Sequence, residues 1–170
     1  LNLLLAIEGP MKFFDVNLRP PFGQPELVMD LAKHADVIKL NDDEVGKLAS
    51  WVRTGEATLD TPRSLDALDK ACAALAKATN TSRICVTRGA DGAALWESGS
   101  LVSAPAPKVA IKDTVGAGDS FMAGLMVGLT RGTDTQKVLE TACRVGAFVA
   151  SHDGATPLLP PEIIQEFNAA

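Results

Sequence analysis

Aromatic residues make up only 5% of this 170-residue sequence, and no lysine and arginine cluster interleaves with them. That excludes the basic stacking surface of a nucleic-acid binder. Sixteen basic residues are scattered among 21 acidic ones, for a net charge of -5. A small anion must therefore be held by local donors, not by a global field. The three cysteines, Cys72, Cys85 and Cys143, lie far apart in apolar stretches. They form no CxxC pair and no even set, which excludes a zinc motif or disulfide framework and predicts reduced core thiols. Long apolar runs are missing too. The opening LNLLLAIEGPM has no basic flank and is broken by Glu8, Gly9 and Pro10, so neither a signal peptide nor a membrane span is expected, and a cytoplasmic location follows. The first residue is Leu1 and no helix start signal precedes its leucines, so the chain is expected to be part of a longer protein.

What is present is ample apolar content, 46%, in a length that suits one domain. Short β-favouring runs at Lys12 to Val16, Val37 to Leu40 and Arg83 to Thr87 are separated by helical patterns. The helices are expected at Glu26 to His34, Glu44 to Val52 and Leu65 to Thr79. Gly55 to Pro62 reads as a polar loop, and Asn80-Thr81-Ser82 as a helix-to-strand connection. Such alternation predicts a parallel α/β sheet. Ala93 to Trp96 and Leu101 to Ala104 flank Glu97-Ser98-Gly99-Ser100 and predict an antiparallel hairpin. Helices then follow at Ala117 to Thr130, at Thr135 to Ser151 and from Pro161.

The segment with the most chemistry is Asp113-Thr114-Val115-Gly116-Ala117-Gly118-Asp119, directly before an apolar helical run. A helix start carries N–H groups without intrahelical partners and the positive end of the dipole, so it stabilises an anion without a cationic side chain. Gly116, Ala117 and Gly118 are small enough for phosphoryl oxygens to approach the backbone. Asp119 beside such a site has the chemistry of a base that accepts a proton from an attacking hydroxyl. The simpler alternative is a capped helix, with Asp113 or Thr114 as N-cap and Asp119 as a first-turn acid.

DTVGAGDSFMAGL resembles the C-terminal signature of the PfkB-type, ribokinase-like carbohydrate kinases. The resemblance implies a Rossmann-like three-layer α/β sandwich, with a mostly parallel sheet and an antiparallel edge hairpin. Residues 1–170 would match the C-terminal, nucleotide-binding half of that domain, without the sugar pocket and lid. It further implies ATP-dependent phosphorylation of a sugar hydroxyl with Mg²⁺. Asp119 would be the catalytic base and the Gly116 to Gly118 backbone the anion hole.

In open α/β sheets, ligands bind beyond the carboxyl ends of the strands, and the residues after all three predicted strands are polar. DVNLRP resembles the DxNxR stretch of fructokinase-like and 2-keto-3-deoxygluconate kinase-like members, which implies that Asn17 and Arg19 lie near the acceptor and the transferred phosphate. By itself, without the motif beside it, Arg19 reads as an ion pair at a strand end before a Pro turn. Asn41 to Glu44 matches the family's NxxE motif, which organises Mg²⁺ and phosphates through water, with Glu44 the main residue. Alternatively, Asn41 caps a helix and Glu44 completes a capping box. Thr87-Arg88-Gly89-Ala90-Asp91-Gly92 matches a nucleotide-contact segment, in which Thr87, Gly89 and Gly92 meet phosphates or ribose. A tight turn with Gly92 at positive φ is the other account.

Gly154-Ala155-Thr156-Pro157 resembles the loop that completes a K⁺ site near Asp113 and Val115 in potassium-activated relatives, and Thr114 belongs to the same nucleotide-side segment. Cys143, Gly146 and Ala147 are small residues at helical spacing, suited to facing an adenine or to a close helix contact. His34 and His152 read as surface residues near helix ends. The expected activity is therefore a fructokinase-like sugar kinase using ATP and Mg²⁺, with K⁺ as in activated relatives and dimerisation through a lid. The rival expectation is a non-catalytic nucleotide-sensing, sugar-sensing or structural module.

Overall fold

The computed structural model describes residues 6, 9–21, 23–54 and 61–168. Most of the opening apolar run and residues 55–60 of the expected polar loop lie outside the described residues. Five strands, β1 (Phe13–Asp15), β2 (Val37–Asn41), β3 (Arg83–Thr87), β4 (Ala93–Glu97) and β5 (Ser100–Ala104), form one sheet in the order β1-β2-β3-β4-β5. The helices are α1 (Pro25–Ala32), α2 (Asp42–Thr54), α3 (Leu65–Thr79), α4 (Ala117–Thr130), α5 (Thr135–Ala150) and α6 (Pro161–Asn168). No described helix is long and apolar enough to cross a membrane. By compactness the chain divides into two units, Leu1–Val86 with Leu95–Leu101, and Thr87–Ala94 with Val102–Ala170.

In the first unit, β1 and β2 run parallel, with Phe13 opposite Val37, Phe14 opposite Ile38 and Asp15 opposite Lys39. A parallel pair needs a crossover, and α1 supplies it, started by Pro25 at its first turn. All of β2 except Asn41 is buried. Val45 and Leu48 of α2, Leu68 and Leu75 of α3, and Ile84 and Val86 of β3 are buried with it. Each such side chain contributes about 1.5–3 kcal/mol relative to exposure. Helix α3 begins where the Ser64 hydroxyl accepts the Ala67 N–H at 3.1 Å, and ends on Asn80 in the left-handed conformation at φ 57°.

Strand β4 runs against β3. Ser98 donates to the Ser82 carbonyl at 3.0 Å, and one residue inward Arg83 pairs with Glu97. The turn from β4 to β5 has Ser98 at φ 48° and Gly99 at φ 96°. Two successive positive φ values give the turn whose twist matches a hairpin, so the expected hairpin forms, each strand one residue longer than the sequence pattern indicated.

In the second unit, α4 packs against α5. The approach is close because Gly128 has no side chain: a Cβ there would stand 2.7 Å from Val138 Cγ2. The Asp134 carboxylate caps α5 through the Lys137 N–H at 3.2 Å. Helix α6 packs on α5, and Glu166 pairs with Arg144.

Candidate active site

In the second unit, the chain leaves β5 and reaches α4 through residues 105–116. The Lys112 N–H ties this segment to the Ala150 carbonyl at the end of α5, at 2.9 Å. The N-cap of α4 is Gly116 at φ 78°, with no side-chain cap. This overturns the simpler alternative in which Asp113 or Thr114 caps the helix. The Asp113 carboxylate instead accepts the Val115 N–H on Oδ1 at 2.9 Å and the Gly154 N–H on Oδ2 at 3.3 Å. Oδ1 thus closes a turn within its own segment, and Oδ2 reaches the loop after α5.

Ser120 N–H closes the first turn on the Gly116 carbonyl at 2.8 Å, and Ala117 N–H turns back to Thr114 at 3.3 Å. The Gly118 and Asp119 N–H groups thus lie ahead of the first helical bond, and both residues are exposed. An anion at this position meets backbone donors and the positive end of the α4 dipole.

Thr87 is half-buried at the end of β3, followed by a 3₁₀ turn at Gly89–Asp91. Arg88 N–H donates to the Gly92 carbonyl at 2.8 Å. Gly92 holds φ 87°, and a Cβ there would stand 2.0 Å from the Ala104 carbonyl oxygen. The turn account of this segment is therefore sufficient for Gly92, while Gly89, at φ 54°, is exposed with open space around it.

Cys143 is 5% exposed, with its thiol toward the Ala104 carbonyl at 3.9 Å. Burial, and then the nearby Glu140 carboxylate, push its pKa up to about 11, so it is a neutral thiol at physiological pH. Gly146 sits against the helix start, where a Cβ would meet the Ala117 carbonyl at 3.1 Å and Phe121 Cβ at 3.3 Å. Its smallness is accounted for by that contact. His152 is half-buried, not a free surface residue: its Nδ1 lies 2.8 Å from the Phe148 carbonyl and its ring packs on Phe148 at 4.2 Å.

In the first unit, Asn41 and Glu44 open α2 with a reciprocal pair. The Asn41 amide oxygen accepts the Glu44 N–H at 2.8 Å, and Glu44 Oε2 accepts the Asn41 N–H at 2.9 Å. Glu44 Oε1 accepts the Leu18 N–H at 2.7 Å. Asn17 and Arg19, on either side of Leu18, are exposed, and Asn17 holds φ 40°. Behind them Lys39, 7% exposed inside β2, pairs with Asp15 at 2.8 Å. That pair was not anticipated from the sequence, although a lysine amid Val-Ile-Leu in a buried strand is the signal for it.

Among the described residues no three of His, Cys, Asp and Glu come together as a metal cluster. The carboxylates of Glu44 and Asp113 each have both oxygens engaged by backbone N–H groups. Each oxygen accepts one of these bonds and keeps a further lone pair, which suits a hydrated Mg²⁺ reached through water more than direct ligation.

Comparison with known proteins identifies the family. The model of the pfkB family of carbohydrate kinases matches residues 1–162. This chain belongs to that family. Escherichia coli fructokinase is 30% identical to it over 163 residues, covering 89% of this chain and 48% of that protein. Thermotoga maritima ribokinase superposes with a TM-score of 0.73 at 22% identity, over 99% of this chain and 52% of that one. Aminoimidazole riboside kinase of Salmonella enterica, solved with aminoimidazole riboside and an ATP analogue, gives a TM-score of 0.67 at 27% identity, over 93% and 52%. The pfkB-family chain is therefore a ribokinase-like α/β fold, and it spans about half the length of the relatives it matches.

Proposed function

We propose that this chain is the C-terminal, nucleotide-binding part of an ATP-dependent carbohydrate kinase that phosphorylates a primary hydroxyl of a small sugar. One observation carries the reading: Gly116, in the left-handed conformation, opens α4 so that the exposed Asp119 shares a turn with N–H groups that have no helical partner.

In this mechanism the Asp119 carboxylate accepts the hydroxyl proton as the acceptor oxygen bonds to the γ-phosphorus. The bond from that phosphorus to the ADP oxygen breaks, and its electron pair leaves with ADP. Negative charge spread over the transferring oxygens meets the preorganised amides at the start of α4, where the Gly118 and Asp119 N–H groups lie ahead of the first helical bond. Thr87, Gly89, Asp113 and Thr114 serve the nucleotide side, with Gly92 holding the turn. Asn17 and Arg19 serve the acceptor and transferred phosphate, for which a guanidinium is geometrically suited. A divalent ion carried by the nucleotide supplies charge neutralisation when bound. No step here is routed through a metal held by the chain's carboxylates.

DVNLRP and the likeness to Escherichia coli fructokinase support a ketose acceptor. The test is ADP release by the protein carrying this chain, with fructose, tagatose, ribose, 2-keto-3-deoxygluconate and ribosides, each with and without K⁺. Sugar-dependent release is expected, strongest with a ketohexose. ATP binding without turnover on any acceptor would instead favour a nucleotide-sensing module.

A further inference from the structure

We propose that Glu44 is a positioning residue: it fixes the loop after β1 through the Leu18 N–H, and so sets where Asn17 and Arg19 stand. The proposal rests on the kinase reading for what those two side chains do, but not for the tether itself.

The backbone on either side of Asn17 is pinned. Val16 N–H donates to the Lys39 carbonyl at 3.0 Å, and Leu18 N–H donates to Glu44 Oε1 at 2.7 Å. Asn17 lies between these bonds at φ 40°, a conformation that asparagine adopts more readily than other side-chain-bearing residues. The first tether belongs to the β1–β2 backbone ladder and does not depend on a side chain. The second depends wholly on one carboxylate. It is a charge-assisted bond from a residue 6% exposed, so water competes for it poorly.

The geometry also fixes Glu44 itself. Its second oxygen is held by the Asn41 N–H, and its own N–H by the Asn41 side chain. The capping box thus does more than start α2: it aims the remaining oxygen at a segment 26 residues away. A carboxylate arranged in this way acts on the acceptor side through a loop.

The experiment is amide hydrogen exchange with steady-state kinetics on the protein carrying this chain, comparing wild type with Glu44→Gln and Asn41→Ala. Glutamine cannot offer an acceptor to both N–H groups without turning its NH₂ toward one of them. In Glu44→Gln, exchange across residues 16–19 should accelerate at least tenfold, with residues 37–40 unchanged. The acceptor KM should rise about tenfold or more, while the Mg²⁺ midpoint for activation stays within twofold. Asn41→Ala removes the side-chain half of the capping box but keeps the Asn41 N–H that holds Glu44 Oε2, and so should leave exchange at residues 16–19 near wild type.

Unchanged exchange at residues 16–19 in Glu44→Gln, or a tenfold shift in the Mg²⁺ midpoint without a change in that exchange, would overturn the proposal. If Glu44→Gln does not fold, replacing Leu18 by its α-hydroxy acid removes the N–H alone and should reproduce the rise in acceptor KM; a wild-type KM there overturns it too. A wild-type protein with no kinase activity would remove the kinase reading. The exchange arm would still decide the tether.

Discussion

A Cβ on Gly116 would stand 2.6 Å from the carbonyl oxygen of Ala155 and 2.8 Å from its Cα and Cβ. The two residues lie 39 positions apart, yet the loop after α5 is laid directly against the turn that opens α4. Asp113 strengthens the same junction through the Gly154 N–H. The backbone amides proposed to receive phosphate are thus held from behind by a second segment, which keeps them oriented before any ligand arrives.

Gly116→Ala is expected to destabilise the protein by about 2–4 kcal/mol, since φ 78° costs a side chain about 1–2 kcal/mol and the contact with Ala155 adds to that. ATP affinity should fall in the same variant, because the amides of the first turn shift with the loop. Thermal unfolding and an ATP titration check both. Wild-type values in the two measurements would show that the junction is soft and that Gly116 is not needed for it.

The buried thiols give a pH prediction. Burial, then the Cys72–Asp69 and Cys143–Glu140 interactions, raise their pKa values to about 12 and about 11. An unfolded thiol ionises near pH 8.5, so above that pH the unfolded chain has lost protons that the folded chain retains. Stability is therefore full below about pH 8 and declines as pH rises toward 11, by up to about 1.4 kcal/mol per pH unit for each thiol. Cys143→Ala should show a shallower alkaline decline than wild type in denaturant unfolding from pH 7 to 10.5. Parallel curves for the two proteins would exclude the thiol as a source of the effect.

Much of this architecture is legible in the sequence because local signals coincide. Strand β3 and helices α3 and α4 fall on the expected residues, since Ser64 and Asn80 punctuate α3 and Gly116 punctuates α4. Strand β1 is shorter than its apolar run, losing Lys12 and Val16, and α1 stops two residues before His34. What was not legible depends on distant segments. Asp113 and Asp119 look alike as acids flanking a glycine turn, but Asp113 is engaged by Gly154, 41 residues on, and Asp119 is left exposed. Likewise the spacing of Asn41 and Glu44 shows a capping box, whereas only the folded chain brings Leu18 to the free carboxylate oxygen.

Asp119 provides the sharpest separation of structural from chemical roles. It is an exposed first-turn acid on α4, and such an acid stabilises a helix by about 0.3–1 kcal/mol through the dipole. Asp119→Asn keeps the size and removes the charge, so its cost to stability should stay within that range. If Asp119 takes the acceptor proton, turnover should fall by about 10²–10⁴-fold, the usual contribution of a positioned base. The KM for ATP should change by no more than a few fold, because the amides that hold the phosphates are untouched. Turnover and thermal unfolding measured on the same preparation decide the matter. A small loss of stability with turnover near wild type would leave Asp119 as a helix-terminal acid only, and another group would have to accept the proton.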